Sequence, residues 1–126
     1  MTYTLRYTPK FVSDFELIHA DVQQASGSVA IADRYLRDFA RKIKSKQLFP
    51  ESAKKLFVED AFTGYYFVHF KAYNAFYLIK DGYIELTRAL PSKSDYVRVL
   101  LGDYYEEDLD SFNEAEYLNE TTTEQR

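Results

Sequence analysis

A chain of 126 residues, 46% of them apolar, is sized for one domain that buries its own core without a disulfide or a structural metal, and it contains no cysteine. That excludes a disulfide scaffold and cysteine-based metal or redox chemistry. No apolar run reaches a membrane span and residues 1–10 read as polar and strand-like, so a protein with no membrane role, in the reducing cytoplasm, is expected. The net charge of −4 is unevenly spread: residues 103–126 hold nine of the 20 acidic side chains but only Arg126 of the 16 basic ones, which leaves residues 1–102 basic.

The segment YTLRYT, residues 3–8, alternates and is rich in aromatic and β-branched residues, which predicts a first strand. Thr8-Pro9 is a helix start, and Phe11, Phe15, Ile18 and Val22 recur at helical spacing up to Ala25. Ser26-Gly27-Ser28 breaks the pattern. A second helix from Val29 to about Lys46 gathers Ala32, Tyr35, Leu36, Phe39 and Ile43 on one face and leaves Arg34, Arg37, Arg41, Lys42 and Lys44 largely outside it. A turn this short predicts an antiparallel helical hairpin. Residues 47–60 show no period and are expected to be a loop or a single helical turn.

Three aromatic-rich runs then predict three consecutive strands, at 65–71, 75–80 and 83–90. Asp81-Gly82 between the last two is a strong hairpin signal, and Ala72-Tyr73-Asn74 is expected to connect the first two. The order is β-α-α-β-β-β: an α+β fold, with an antiparallel sheet covered on one face by the helical hairpin. The expected division is a domain over 1–102 and an acidic C-terminal extension over 103–126.

With Tyr66, Val68 and Phe70 facing the helices, Tyr65, Phe67, His69 and Lys71 share the other face. Aromatics beside a histidine and a lysine suit base stacking and phosphate binding, and they equally suit a second apolar layer. His69, with Glu85 on the same face, is a candidate general acid or base; the other histidine, His19, lies on the first helix. Nothing in the chain has metal-ligand spacing, a phosphate-cradling glycine loop or a nucleophile elbow, so neither metal nor cofactor is expected. Arg88 falls on the strand side of Leu86 and Leu90, where a lone charge is costly. Two roles are open to it, a pair with Asp95 that pins the C-terminal turn, or contact with a ligand. Beyond Pro91, Lys93, Tyr96 and Arg98 offer further groups for holding phosphate or an acidic partner.

Taken in order, YTLRYTPKFVSDFELI, ADRYLRDFARKIKSKQLFPES and IELTRALPSKSDYVRVL make residues 3–102 resemble the RelE/ParE superfamily of bacterial type II toxin–antitoxin toxins. The last segment is similar to the family's R-V-L-H-x-R-R-D-Y strand end, matched at Arg88, Leu90, Lys93, Asp95 and Tyr96. The resemblance implies a small toxin neutralised by a cognate antitoxin that wraps it. RelE-like members cut mRNA on the ribosome with cationic and acid–base residues on the sheet; ParE-like members poison DNA gyrase without that set. The first expectation is the ribosome-dependent, metal-independent endoribonuclease, with His69, Lys71 and Lys93 catalytic and Arg88, Tyr96 and Arg98 binding substrate.

Two departures bear on that expectation. Asn74 follows Tyr73 where RelE-like toxins commonly carry arginine, and Pro91, Lys93 and Ser94 stand where many relatives have histidine and consecutive arginines. They keep open a gyrase inhibitor and a non-catalytic binding protein with the toxin fold. The acidic extension is expected to be either a solubilising tail or a segment that folds back over the basic body.

Overall fold

The computed structural model describes residues 2–102, and the chain divides into two units between Ser94 and Asp95. The first unit runs β1 (Thr4–Tyr7), α1 (Pro9–Ser26), α2 (Val29–Lys44), a 3-10 turn (Pro50–Ser52), β2 (Lys54–Val58), β3 (Ala61–Phe70), β4 (Tyr73–Ile79) and β5 (Tyr83–Pro91). Its strands form one sheet in the order β1-β5-β4-β3-β2. The first and last strands of the chain pair in parallel, and the other pairs are antiparallel.

Both helices start at side-chain caps that the sequence supplies. The Thr8 hydroxyl accepts from the Phe11 backbone N–H at 3.1 Å with Pro9 behind it, and the Ser28 hydroxyl accepts from the Ile31 N–H at 3.2 Å. Thr8 also ties the helix to the sheet: its N–H donates to Leu86 O at 3.0 Å and its hydroxyl to Thr87 O at 2.8 Å. Those bonds satisfy the edge of β5 just where β1 ends. From α1, Phe11 and Ile18 are buried, and from α2, Ala32, Phe39 and Ile43, while the expected basic residues of α2 face water.

The core is largely aromatic. Phe11, Phe15, Phe39 and Phe70 follow one another at ring separations of 4.8, 5.2 and 4.9 Å, running from α1 through α2 to β3. Tyr66 and Tyr77 stack on neighbouring strands, and the Tyr77 hydroxyl donates to Pro50 O at 2.5 Å, which fixes the 3-10 turn onto the sheet. The hydroxyl is buried with its partner, and burial pushes the Tyr77 phenol well above its ordinary value.

The α+β architecture, with a helical hairpin on the sheet, is the one expected, and it gains three features. Residues 54–58, part of an aperiodic stretch expected to be loop, form the edge strand β2. β1 joins the sheet in parallel with β5, at the edge opposite β2, to which the helical hairpin leads. The β3–β4 connection is Lys71-Ala72 rather than Ala72-Tyr73-Asn74: Lys71 takes a left-handed φ of 54°, and Asn74 is buried in β4. Gly82, at φ 84°, closes the Asp81-Gly82 turn as anticipated, and Gly64, at φ 95°, forms a bulge where β3 has two residues more than β2.

In the second unit, residues 96–102 are helical, and Val99 N–H donates to Asp95 O at 3.3 Å. The acidic extension, 103–126, lies outside the described residues, and so does its expected return over the body.

Candidate functional site

Among the described residues Arg88 is the one strand cation that the fold encloses, and its partner is Asp14 of α1. Nε donates to Asp14 Oδ2 at 2.7 Å and Nη2 to Oδ1 at 3.0 Å, a fork-to-fork pair with side chains only 24% and 11% exposed. Oδ2 also accepts the Ala89 backbone N–H at 2.9 Å. Asp14 thereby supplies the acceptor that a strand neighbour would have offered β5 beyond the end of β1. The hydrogen bond to Asp14 raises the Arg88 guanidinium further above its ordinary value, against burial, which lowers it. The partner expected for Arg88, Asp95, bonds Arg98 Nε at 3.3 Å within the second unit instead, both side chains being largely exposed. Asp14 displaces it as the partner because its carboxylate fills both forks of the Arg88 guanidinium.

His69, Lys71 and Lys93 stand at the same end of the sheet. His69 is near the end of β3, Lys71 is in the following turn, and Lys93 is in the turn after β5. The two turns are joined directly, since Ser92 N–H donates to Ala72 O at 2.8 Å. His69 Nδ1 lies 2.8 Å from Asn74 Oδ1. An amide oxygen only accepts, so Nδ1 is the donor in this contact, on an exposed side chain. Lys42 of α2 donates from Nζ to His69 O at 2.6 Å, and Lys71 Nζ sits 5.5 Å from the Phe70 ring centre. Lys93 is exposed and makes no ion pair among the described residues. The result is a basic rim with one imidazole oriented by Asn74, able to bind an anion.

Tyr96 and Arg98 belong to the second unit, Tyr96 half-buried and Arg98 exposed. The helix-distal face of the sheet is not open throughout. Phe67 and Phe76 pair there at 5.6 Å and Phe76 is fully buried, while Tyr65 is half-buried, its phenol raised by burial. Glu85 lies opposite Leu78 on the next strand pair and makes no hydrogen bond to His69. Among the described residues no group of three His, Cys, Asp or Glu side chains could hold a metal, and no helix is long and apolar enough to cross a membrane.

An apolar recess of about 260 Å³ opens beside α1, α2 and the end of β1, lined by Tyr7, Phe11, Val12, Phe15, Ala40 and Ile43. Tyr7 and Val12 at its rim are half exposed. It can take up an apolar side chain of a partner.

Sequence reasoning missed Asp14, Asn74 and Lys42 as members of these sites. Asp14 had a legible signal: it stands three residues after Phe11 and four before Ile18, on the apolar stripe of α1, where a charge needs an opposite charge.

A sequence model of the family described as the ParE toxin of type II toxin–antitoxin system, parDE, matches residues 5–96. Among solved structures, the fold is similar to a chain of the chromosomal ParDE TA system from P. aeruginosa, with a TM-score of 0.61 and 17% identity, covering 71% of this chain and 96% of that one. A chain of the E. coli DinJ-YafQ toxin–antitoxin complex aligns at a TM-score of 0.42 and 14% identity, covering 72% and 93%. No curated protein sequence matches the chain. The family match runs from within β1 through β5 and takes in both long helices and Arg88 with its Asp14 partner, and on that extent the chain belongs to the ParE toxins of type II toxin–antitoxin systems.

Proposed function

We propose that the chain is a gyrase-directed toxin held inactive by a cognate antitoxin. The observation that carries this is the match to the ParE toxin family over residues 5–96. The engagement of Arg88 agrees with it: a guanidinium forked onto Asp14 is a structural group, not one free to grip a phosphate. Asn74 agrees too, since it holds the place where RelE-like nucleases commonly carry arginine and is turned inward to His69. The antitoxin seats an apolar side chain in the recess beside Tyr7 and Phe15, where water-exposed apolar surface is already present.

A second activity is favoured by one observation, the gathering of His69, Lys71 and Lys93 at one end of the sheet. In a ribosome-dependent cleavage, His69 Nε2 takes the proton of the ribose 2′-hydroxyl while Lys71 and Lys93 stabilise the charge that develops on phosphate. The deciding experiment sets DNA supercoiling by purified gyrase beside primer extension on translated mRNA, each with the purified chain added. Loss of supercoiling with intact mRNA is the expected outcome. New mRNA ends with unimpaired gyrase would overturn it in favour of the nuclease. Growth arrest on expression tests toxicity itself: normal growth of cells making either the full chain or residues 1–102 points to the non-catalytic binding protein. Arrest only with the shortened chain assigns an inhibitory role to the acidic extension.

A further inference from the structure

β2 is the outermost strand of the sheet, and among the described residues nothing pairs with its outer edge. An unpaired edge is a template for another strand, and proteins blunt such edges with charge, proline or a covering element. This edge has charge only at its ends. It reads Lys54-Lys55-Leu56-Phe57-Val58, and Glu59-Asp60 follow in the turn to β3. Two bases and two acids are thus placed symmetrically about Phe57. Lys54, Glu59 and Asp60 make no ion pair among the described residues, and Lys55 Nζ rests 5.3 Å from the Phe62 ring centre.

The same edge ends a row of aromatic rings. Tyr77, Tyr66, Phe62 and Phe57 follow one another across β4, β3 and β2 at separations of 5.8, 5.3 and 5.8 Å. The two tyrosines are buried, whereas Phe62 and Phe57 are 41% and 52% exposed. The row runs from the core to the sheet edge and stops with its last ring half in water.

We propose that β2 is a self-association site, where two copies of this chain pair their β2 strands antiparallel about a two-fold axis at Phe57. In that register Phe57 meets Phe57 of the second copy, and Leu56 meets Val58. Lys55 and Lys54 then approach Glu59 and Asp60 of the second copy, and every contact occurs twice, as a two-fold interface requires. The two aromatic rows join into one, and four charges without ion-pair partners acquire opposite ones. The charge symmetry about Phe57 is what selects a second copy as the occupant. A register shifted by several residues sets like charges or charge against ring, so it competes poorly. One short strand per copy makes a small interface, so the association is transient rather than obligate.

Sedimentation equilibrium of the purified full chain, up to ~1 mM, tests this at the concentrations where weak complexes form. The expected mass rises from the 14.8 kDa of one chain toward twice that value. Lys54→Glu with Lys55→Glu, and separately Glu59→Lys with Asp60→Lys, each set like charges across the axis and weaken association on the order of tenfold or more. An equimolar mixture of the two charge-reversed proteins restores it, because each then meets its opposite. Phe57→Asp removes association in either setting, and circular dichroism melts establish that every variant is folded. A constant single-chain mass up to the highest concentration overturns the proposal. So does undiminished association of the charge-reversed variants, or failure of their mixture to associate.

Discussion

Replacing Asp14 with alanine should be among the most damaging single changes outside the apolar core, and the structure sets its size. The carboxylate accepts three hydrogen bonds, two from Arg88 and one from the buried Ala89 N–H. Stranding a buried backbone donor costs about 1–3 kcal/mol. Arg88 loses a bidentate partner but keeps some access to water, so its share is nearer the low end of the roughly 3–5 kcal/mol found when a buried pair loses one member. Together these give a loss of about 4–6 kcal/mol. At about 4–8 °C per kcal/mol for a domain of this size, the Tm should fall by roughly 20–40 °C. Asp14→Asn keeps an acceptor for Ala89 and should cost about half as much. Arg88→Met leaves a carboxylate with one bond and should cost about 3 kcal/mol. Arg88→Met combined with Asp14→Ala should cost less than the two separately, with a coupling of about 2 kcal/mol. Urea unfolding followed by circular dichroism measures all four. A loss below about 1 kcal/mol for Asp14→Ala, or a coupling near zero, would refute the claim that this pair holds α1 to β5. Toxicity of the folded variants should survive wherever stability does; a stable Arg88 variant without toxicity would return Arg88 to the functional site.

Thr8→Ala removes both the cap of α1 and a bond to Thr87 O, and should cost about 1–2 kcal/mol in the same unfolding experiment. Of the tyrosines that burial raises, Tyr77 is raised most and carries the largest share of the alkaline pH dependence. Its folded value is raised above 10.0, so its contribution is fully present below pH 10 and is lost as pH rises beyond it, where the unfolded chain ionises first. Between pH 10 and 11.5 it should add a loss of about 1.4 kcal/mol per pH unit. Tyr77→Phe should flatten that slope while costing about 1 kcal/mol at neutral pH through the lost bond to Pro50. For the chemistry, the double variant His69→Ala, Lys93→Ala should inhibit gyrase like the parent chain if the toxin acts on gyrase. A large loss of mRNA cleavage in the same protein, read by primer extension, would instead assign the two residues to catalysis.

The parts of the fold that were legible in the sequence are those fixed by neighbours in the chain. Thr8-Pro9 and Ser28 cap helices because their hydroxyls reach N–H groups three residues away, and Asp81-Gly82 turns because glycine tolerates a positive φ. β2 was hidden because its partner, β3, decides its conformation: only Leu56 of its five residues is buried, so no alternation marks it. The Lys71-Ala72 turn was misplaced by two residues because asparagine is the more frequent left-handed residue. Here the pairing of His69 with Asn74 and of Asn74 with Leu90 keeps Asn74 in the sheet and passes the turn to Lys71.

The site shows the same division, with one instructive exception. Sequence reasoning recognised that a charge among Leu86 and Leu90 needed an answer, and searched for it nearby in the chain, whereas the answer lies 74 residues away. Asp14 posed the matching problem on α1, a lone acid on an apolar stripe. Each charge alone is ambiguous between a ligand contact and an internal pair. Two lone charges of opposite sign on faces that must pack together are not, because burying either one unpaired costs more than any arrangement that joins them. Once Asp14 and Arg88 are assigned to one another, the cations left for a target are exposed ones, most of them on α2 (Arg34, Arg37, Arg41, Lys42 and Lys44), with Lys71 and Lys93 at the sheet end. Charge spread over an exposed helix face suits recognition of a macromolecule, which favours action by binding over action by cleavage and leaves gyrase inhibition little dependent on Lys93.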